Sequence, residues 1–256
     1  MRLRNAFAVA SAALALGFAA PTHAATILAM KVSDLAPAAT SADGLIDPYQ
    51  DWLNAGGHNE GVAGATSLTN NGIDYKNSFV DSNWGDVQTV RVAVYSGGVE
   101  QIFIEFDASG TDKGNFFAAS HLTASTYGLA SFAVHNFFSI PGDPGNDRHW
   151  FVERNYGGCG NDRGLLVVMD GADSNWACSW EESRDALVGI DTRAFLYALP
   201  PVAVDADVPN WNTGPIGTGD VFAVFVTTAS VPEPATFGLL AVGAIGLTAA
   251  ARRRRA

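Results

Sequence analysis

An all-β body, built as an antiparallel β-sandwich with jelly-roll-like connections, is predicted by three features of this sequence. Short apolar segments alternate with a period of two, a glycine pair separates two of them, and the connections between the others are rich in Gly, Asn, Asp and Pro. The chain has 256 residues, ample for one β domain of about 200 residues with a real core.

The elements follow in order. Residues 26–32 give the first expected strand. Asp47-Pro48, then Tyr49, Trp52 and Leu53, then Gly56-Gly57, supply an N-cap, a proline at the first helical position and a glycine stop, which predicts one short helix. Val90, Val92 and Val94 alternate with Arg91, Ala93 and Tyr95. Beyond Ser96-Gly97-Gly98, Ile102, Ile104 and Phe106 alternate with Gln101, Phe103 and Glu105. This pair predicts a hairpin. Further strands are expected at 129–140, 150–154, 165–169, 194–199 and 221–227, and a second short helix near 181–187. Because 165–169 is apolar throughout, it predicts a strand covered on both faces. Segments 54–71, 109–114, 141–147 and 209–219 read as connections. No composition break marks a second domain, so 221–227 must return to the main sheet.

The two ends are of a different kind. Arg2 and Arg4 precede an apolar run at 6–20, and Thr22-His23-Ala24 offers small residues for a signal peptidase, which predicts a signal peptide over 1–24. At the other end, 235–251 is uncharged and interrupted only by Thr236 and Thr248. As a helix it spans about 26 Å, enough to cross a bilayer once, and Arg252, Arg253, Arg254 and Arg255 then mark the cytoplasmic side. The body at 25–230 is therefore expected outside the cytoplasm.

Charge narrows the partners. Two of the 15 basic residues lie in the leader and four in the tail, whereas only Glu233 of the 26 acids lies outside the body, which leaves the body near −16. Such a surface repels nucleic acid and anionic membranes and favours solubility, cations or cation-bridged polymers. Cys159 and Cys178, the only two cysteines, read as a disulfide in an oxidising compartment. Metal ligation is the weaker reading, for lack of a histidine pair nearby.

Taken in order, Val231, Pro232, Glu233, Pro234, the apolar span and the arginine cluster resemble the PEP-CTERM sorting signal of Gram-negative bacteria. The resemblance implies a partner, the membrane enzyme exosortase, with processing near the tripeptide. It also implies a precursor anchored in the inner membrane, then a cell-surface or extracellular location, and a link to exopolysaccharide and biofilm matrix. Independently of the resemblance, the two prolines favour an extended segment at the membrane face where an enzyme reaches the backbone. A sorting signal does not say what its cargo does.

The body carries no HExxH, GxSxG, P-loop or CxxC pattern, and no catalytic residue is assigned. Its four histidines, His58, His121, His135 and His149, are scattered, and each reads first as a structural or surface residue. One repetition stands out: Asp81-Ser82-Asn83-Trp84 recurs as Asp173-Ser174-Asn175-Trp176. On one reading Asp81, Asn83, Asp170, Asp173 and Asn175 offer hard oxygen ligands to calcium, while Trp84 and Trp176 stack on a sugar ring. On the other, which is the default, Asp-Ser-Asn closes turns and the tryptophans plug the core. No other cofactor is expected. The leading reading is an exosortase-sorted surface or matrix protein that acts by binding polysaccharide. A secreted hydrolase or lyase with paired carboxylates and a permanently anchored protein with an unprocessed tail are the alternatives.

Overall fold

The hairpin is the clearest case of sequence dictating structure. In the computed structural model, β3 (Val87–Ser96) and β4 (Val99–Asp107) pair antiparallel, with Ser96 opposite Val99. Gly97 and Gly98 both take positive φ, 57° and 80°, as the tight turn that matches strand twist requires. The residues described are 24–34, 48–133, 135, 137–146, 148–154, 158–170, 178, 180, 193–202 and 209–229. The signal peptide, the second helix and the transmembrane helix expected from the sequence lie outside them.

The remaining strands are β1 (Thr26–Ser33), β2 (Tyr75–Lys76), β5 (Leu122–Ser125), β6 (Phe137–Ser139), β7 (Arg148–Arg154), β8 (Arg163–Asp170), β9 (Arg193–Ala198), β10 (Ile216–Gly219) and β11 (Val221–Thr228). They form a six-stranded sheet in the order β2-β1-β11-β3-β4-β5 and a five-stranded sheet in the order β10-β9-β8-β7-β6. Every pairing is antiparallel. Residues 25–229 make one compact unit.

One core lies between the sheets. Val90, Val92, Val94, Ile102, Ile104, Phe222 and Val224 from the first meet Trp150, Val152, Leu166, Val168 and Phe195 from the second, which is the packing of a β-sandwich. The jelly-roll expectation needs correction. Five consecutive strands, β6 to β10, stay in one sheet as a meander, whereas paired Greek keys would divide them. The expected return of 221–227 holds, since β11 inserts between β1 and β3.

Other expectations fare unevenly. The first helix is α1 (Pro48–Leu53), which buries Trp52 completely. A second, α2 (Phe79–Ser82), was not expected. Residues 129–140 are not one strand: a 3-10 turn at Leu129–Phe132 precedes the short β6. Gly128 at φ 77° leads directly into the 3-10 turn, and with Ser131, His135 and Asn136 scattered through it the stretch keeps no period of two. Strand β10 falls in the expected connection at 209–219. Its glycines are there for space: a Cβ on Gly217 would meet the Tyr197 ring at 2.5 Å, and one on Gly219 would meet Val94 at 2.1 Å. Finally, β8 is covered on both faces as expected, with Leu166 and Val168 in the central core and Val167 and Met169 in a second cluster on the far side.

Candidate functional site

The outer faces of the two sheets carry contrasting sets of charged and aromatic side chains. On the six-stranded sheet, strand register lines up Leu28, Phe225, Arg91 and Glu105 across β1, β11, β3 and β4, with Phe103 opposite Ala93. Phe103 and Phe225 are half-buried, and the Arg91 guanidinium lies 3.5 Å above the Phe103 ring centroid. Arg91 donates from Nη2 to Glu100 Oε1 at 2.5 Å, and its Nη1 lies 3.9 Å from Glu105 Oε2. The Tyr95 hydroxyl donates to Glu100 Oε2 at 3.1 Å. Burial, with Glu100 beside it, pushes the Tyr95 phenol up to about 12, so it stays a donor at any physiological pH. Arg91, Glu100, Phe103, Glu105 and Phe225 are half-buried and reached by solvent, with the buried Tyr95 beneath them holding Glu100.

The five-stranded sheet's outer face is closed instead. Trp150 takes φ 50°, and the β7 register shifts between His149 and Val152. The irregularity breaks the alternation of strand faces. Arg148 therefore shares the outer face with Phe151 and Glu153 while Trp150 and Val152 point into the central core. There Arg148 Nη1 lies 3.5 Å from Asp162 Oδ2, its Nη2 lies 3.2 Å from Cys178 Sγ, and its guanidinium is 4.8 Å from the Trp180 ring centroid. Trp180 Nε1 donates to the same Asp162 oxygen at 3.2 Å and stacks on Trp211. Gly164 lets Trp211 approach, because a Cβ there would meet the indole at 2.6 Å.

Glu153 is sealed in this pocket. Its side chain is fully buried, and neither oxygen has a hydrogen-bond partner. Burial first, and the negative Asp162 second, push it up to about 9, against the opposing pull of the Arg163 N–H, Arg148 and Trp211. Those groups face it without hydrogen bonds of good geometry. Glu153 is therefore a neutral acid at pH 7. Arg148, Glu153 and Asp162 escaped sequence analysis because their meeting depends on the bulge at His149-Trp150, and no linear spacing encodes it.

The residues singled out in the sequence are placed as follows. Cys159 and Cys178 form a disulfide, with Cα atoms 5.2 Å apart. Asp81 sits in α2, where Oδ1 meets Lys113 Nζ at 2.5 Å, Oδ2 meets Lys76 Nζ at 3.1 Å, and the Gly56 N–H donates to Oδ2 at 2.9 Å. Burial pushes Asp81 up, but the two lysines outweigh it and hold the carboxyl below its ordinary range. Its charge is thus spent on lysines. Asn83 is exposed and donates to Ser82 Oγ. Trp84 is half-buried, packs on Trp52 and Phe116, and its Nε1 donates to Thr111 Oγ1 at 3.4 Å.

Asp170 ends β8 opposite Arg193, and Asp173, Asn175 and Trp176 lie outside the described residues, as do Val231, Pro232, Glu233, Pro234 and Arg252 to Arg255. Among the described residues no group of three or more His, Cys, Asp or Glu is placed to hold a metal ion. The histidines are dispersed: His58 Nδ1 lies 3.5 Å from Asp51, His121 ends a 3-10 turn, His135 is buried beside Phe132, and His149 stacks on Tyr49.

No helix among the described residues is long and apolar enough to cross a membrane. No curated protein and no solved structure matches the chain. Residues 230–255, however, match the PEP-CTERM protein-sorting motif. That motif implies export, a membrane-anchored precursor and delivery to the cell surface. This chain therefore ends in a PEP-CTERM sorting signal, the mark of an exosortase substrate.

Proposed function

We propose that the sorted body is a polysaccharide-binding module of the cell surface or extracellular matrix, and that it binds through the outer face of the six-stranded sheet. One observation carries this reading: Phe103 and Phe225 are half-exposed beside an Arg91–Glu100–Tyr95 array already held in place. Aromatic faces stack on the C–H faces of sugar rings, and fixed charged donors and acceptors take the hydroxyls. A body near −16 favours a neutral or cationic polymer, or one bridged by cations.

Hydrolysis by paired carboxylates is the second reading, and Glu153 with Asp162 is its best pair. Both are buried to within 1%, which weighs against access by a polymer. Affinity electrophoresis of the exported protein in gels containing the host's exopolysaccharide tests the proposal. Retardation that disappears in Phe103→Ala/Phe225→Ala is expected. Release of reducing ends from the polymer would replace binding with catalysis.

A further inference from the structure

Residues 54–74 run against the outer side of β1, and the contacts they make there are chemically unusual. Lys31 in β1 is fully buried, and its Nζ donates to Asn71 Oδ1 at 2.8 Å. The amide of Asn71 is held at both ends: Nδ2 donates to Gly64 O at 2.8 Å, and Oδ1 also accepts from the Ile73 N–H at 3.2 Å. Asp74 precedes Tyr75, which is the β2 partner of Lys31. The Asp74 carboxylate accepts from the Ser33 N–H at 3.0 Å and from Arg193 Nη1.

We propose that Lys31 and Asn71 join in an intramolecular isopeptide bond, with Asp74 as the nearby proton acceptor, which ties the first strand covalently to the segment laid over it.

The geometry is close to reactive. With a C=O bond of about 1.2 Å, Nζ lies at most about 4 Å from Asn71 Cγ, and attack needs about 3–3.5 Å. Movement of Nζ toward the face of the amide closes the gap. Burial lowers the basicity of Lys31, while Asp74 acts in the opposite sense, so a buried amine is easier to deprotonate than a surface one.

The atoms balance. Asp74 acts on Lys31 through its charge and not through an ion-pair contact, so the proton that the Lys31 ammonium gives up reaches the Asp74 carboxylate by way of water, and the neutral amine adds to Cγ to form the new C–N bond. Negative charge gathers on Oδ1, where the Ile73 N–H already donates. The added nitrogen loses a further proton, Nδ2 gains one, and the bond from Cγ to Nδ2 breaks. An ammonium and an asparagine amide thus become a secondary amide and one ammonium ion, with no oxidant or cofactor.

A rival reaction lies next in the chain. Asn71 precedes Gly72, and an Asn-Gly pair can cyclise through the glycine nitrogen. Here the Gly72 N–H donates to Ser33 Oγ at 3.1 Å, which restrains that nitrogen, whereas Lys31 already contacts the amide.

The test is mass spectrometry of the exported protein recovered from its host, denatured, reduced and cut between residues 31 and 71. The Cys159–Cys178 bond does not join these parts. The expected product is one branched peptide lighter than its two parts by one ammonia, and Lys31→Arg, which keeps the charge, gives none. Asp74→Asn should slow its formation by about a hundred-fold, and formation at the wild-type rate would overturn the role given to Asp74. Two separate peptides of unaltered mass from folded protein, or Asn71 merely converted to an aspartate, would overturn the bond itself.

Discussion

The two sheets bury the same kind of residues toward each other and do opposite things on their outer faces. On the six-stranded sheet, Arg91, Glu100 and Glu105 each keep about 30% of their side-chain surface in water. On the five-stranded sheet, Arg148 and Asp162 keep 3% and 1%. Solvent decides what such charges are worth. A solvated pair contributes little to stability and stays free to bind, whereas a buried pair contributes through what its loss would leave behind. The first face suits recognition and the second suits holding the fold, with Glu153 as the exception that gives its sheet a pH response.

Four experiments would break or sharpen this contrast, taken from the closed pocket to the open face. Asp162→Ala leaves Arg148 charged and buried, which should cost about 3–5 kcal/mol in urea unfolding. A loss under 1 kcal/mol would mean that water reaches the pocket. Second, breaking the Cys159–Cys178 bond by Cys159→Ala opens a loop whose ends are 19 positions apart, for a loss of about 3 kcal/mol. Reduced wild type should match the variant.

The third concerns Glu153. Its folded pKa, about 9, is raised above the ordinary 4.5, so its contribution is intact below pH 4.5 and is lost progressively as pH rises toward 9. The stability of Glu153→Gln relative to wild type should therefore climb by up to about 1.4 kcal/mol per pH unit across that window. A flat difference would show Glu153 ionised inside the fold. The smallest effect belongs to the open face. Arg91→Ala should change stability by less than about 1 kcal/mol while weakening retention by polysaccharide, and an equal loss at Asp162 and Arg91 would erase the distinction between the faces.

Much of the fold was legible because the physical causes were local. Alternation at 90–94 and 102–106, with Gly97-Gly98 between them, encodes a hairpin wherever it occurs, and the unbroken apolar run at 165–169 announces a strand with no wet side. Strand β10 was hidden because two of its four residues are glycines that look like loop but make room for Tyr197 and Val94. The short β2 and β5 carry too few residues to show a period. The open face was visible as the outward residues of a predicted hairpin, although its function was not. The closed pocket was illegible: Arg148 and Glu153 lie five positions apart in one strand, where alternation would put them on opposite faces, and only the backbone turn at Trp150 brings them together.

Strand β11 carries a consequence for biogenesis. It lies between β1 and β3, and Thr228 donates its N–H to Ala25 O, so among the described residues the last strand is the partner of the first. A chain threaded across a membrane from its N-terminus cannot complete the larger sheet until residue 228 emerges. The motif begins at residue 230, just beyond the end of β11 at Thr228, so the strand that closes the sheet and the segment that sorts the chain are made one directly after the other.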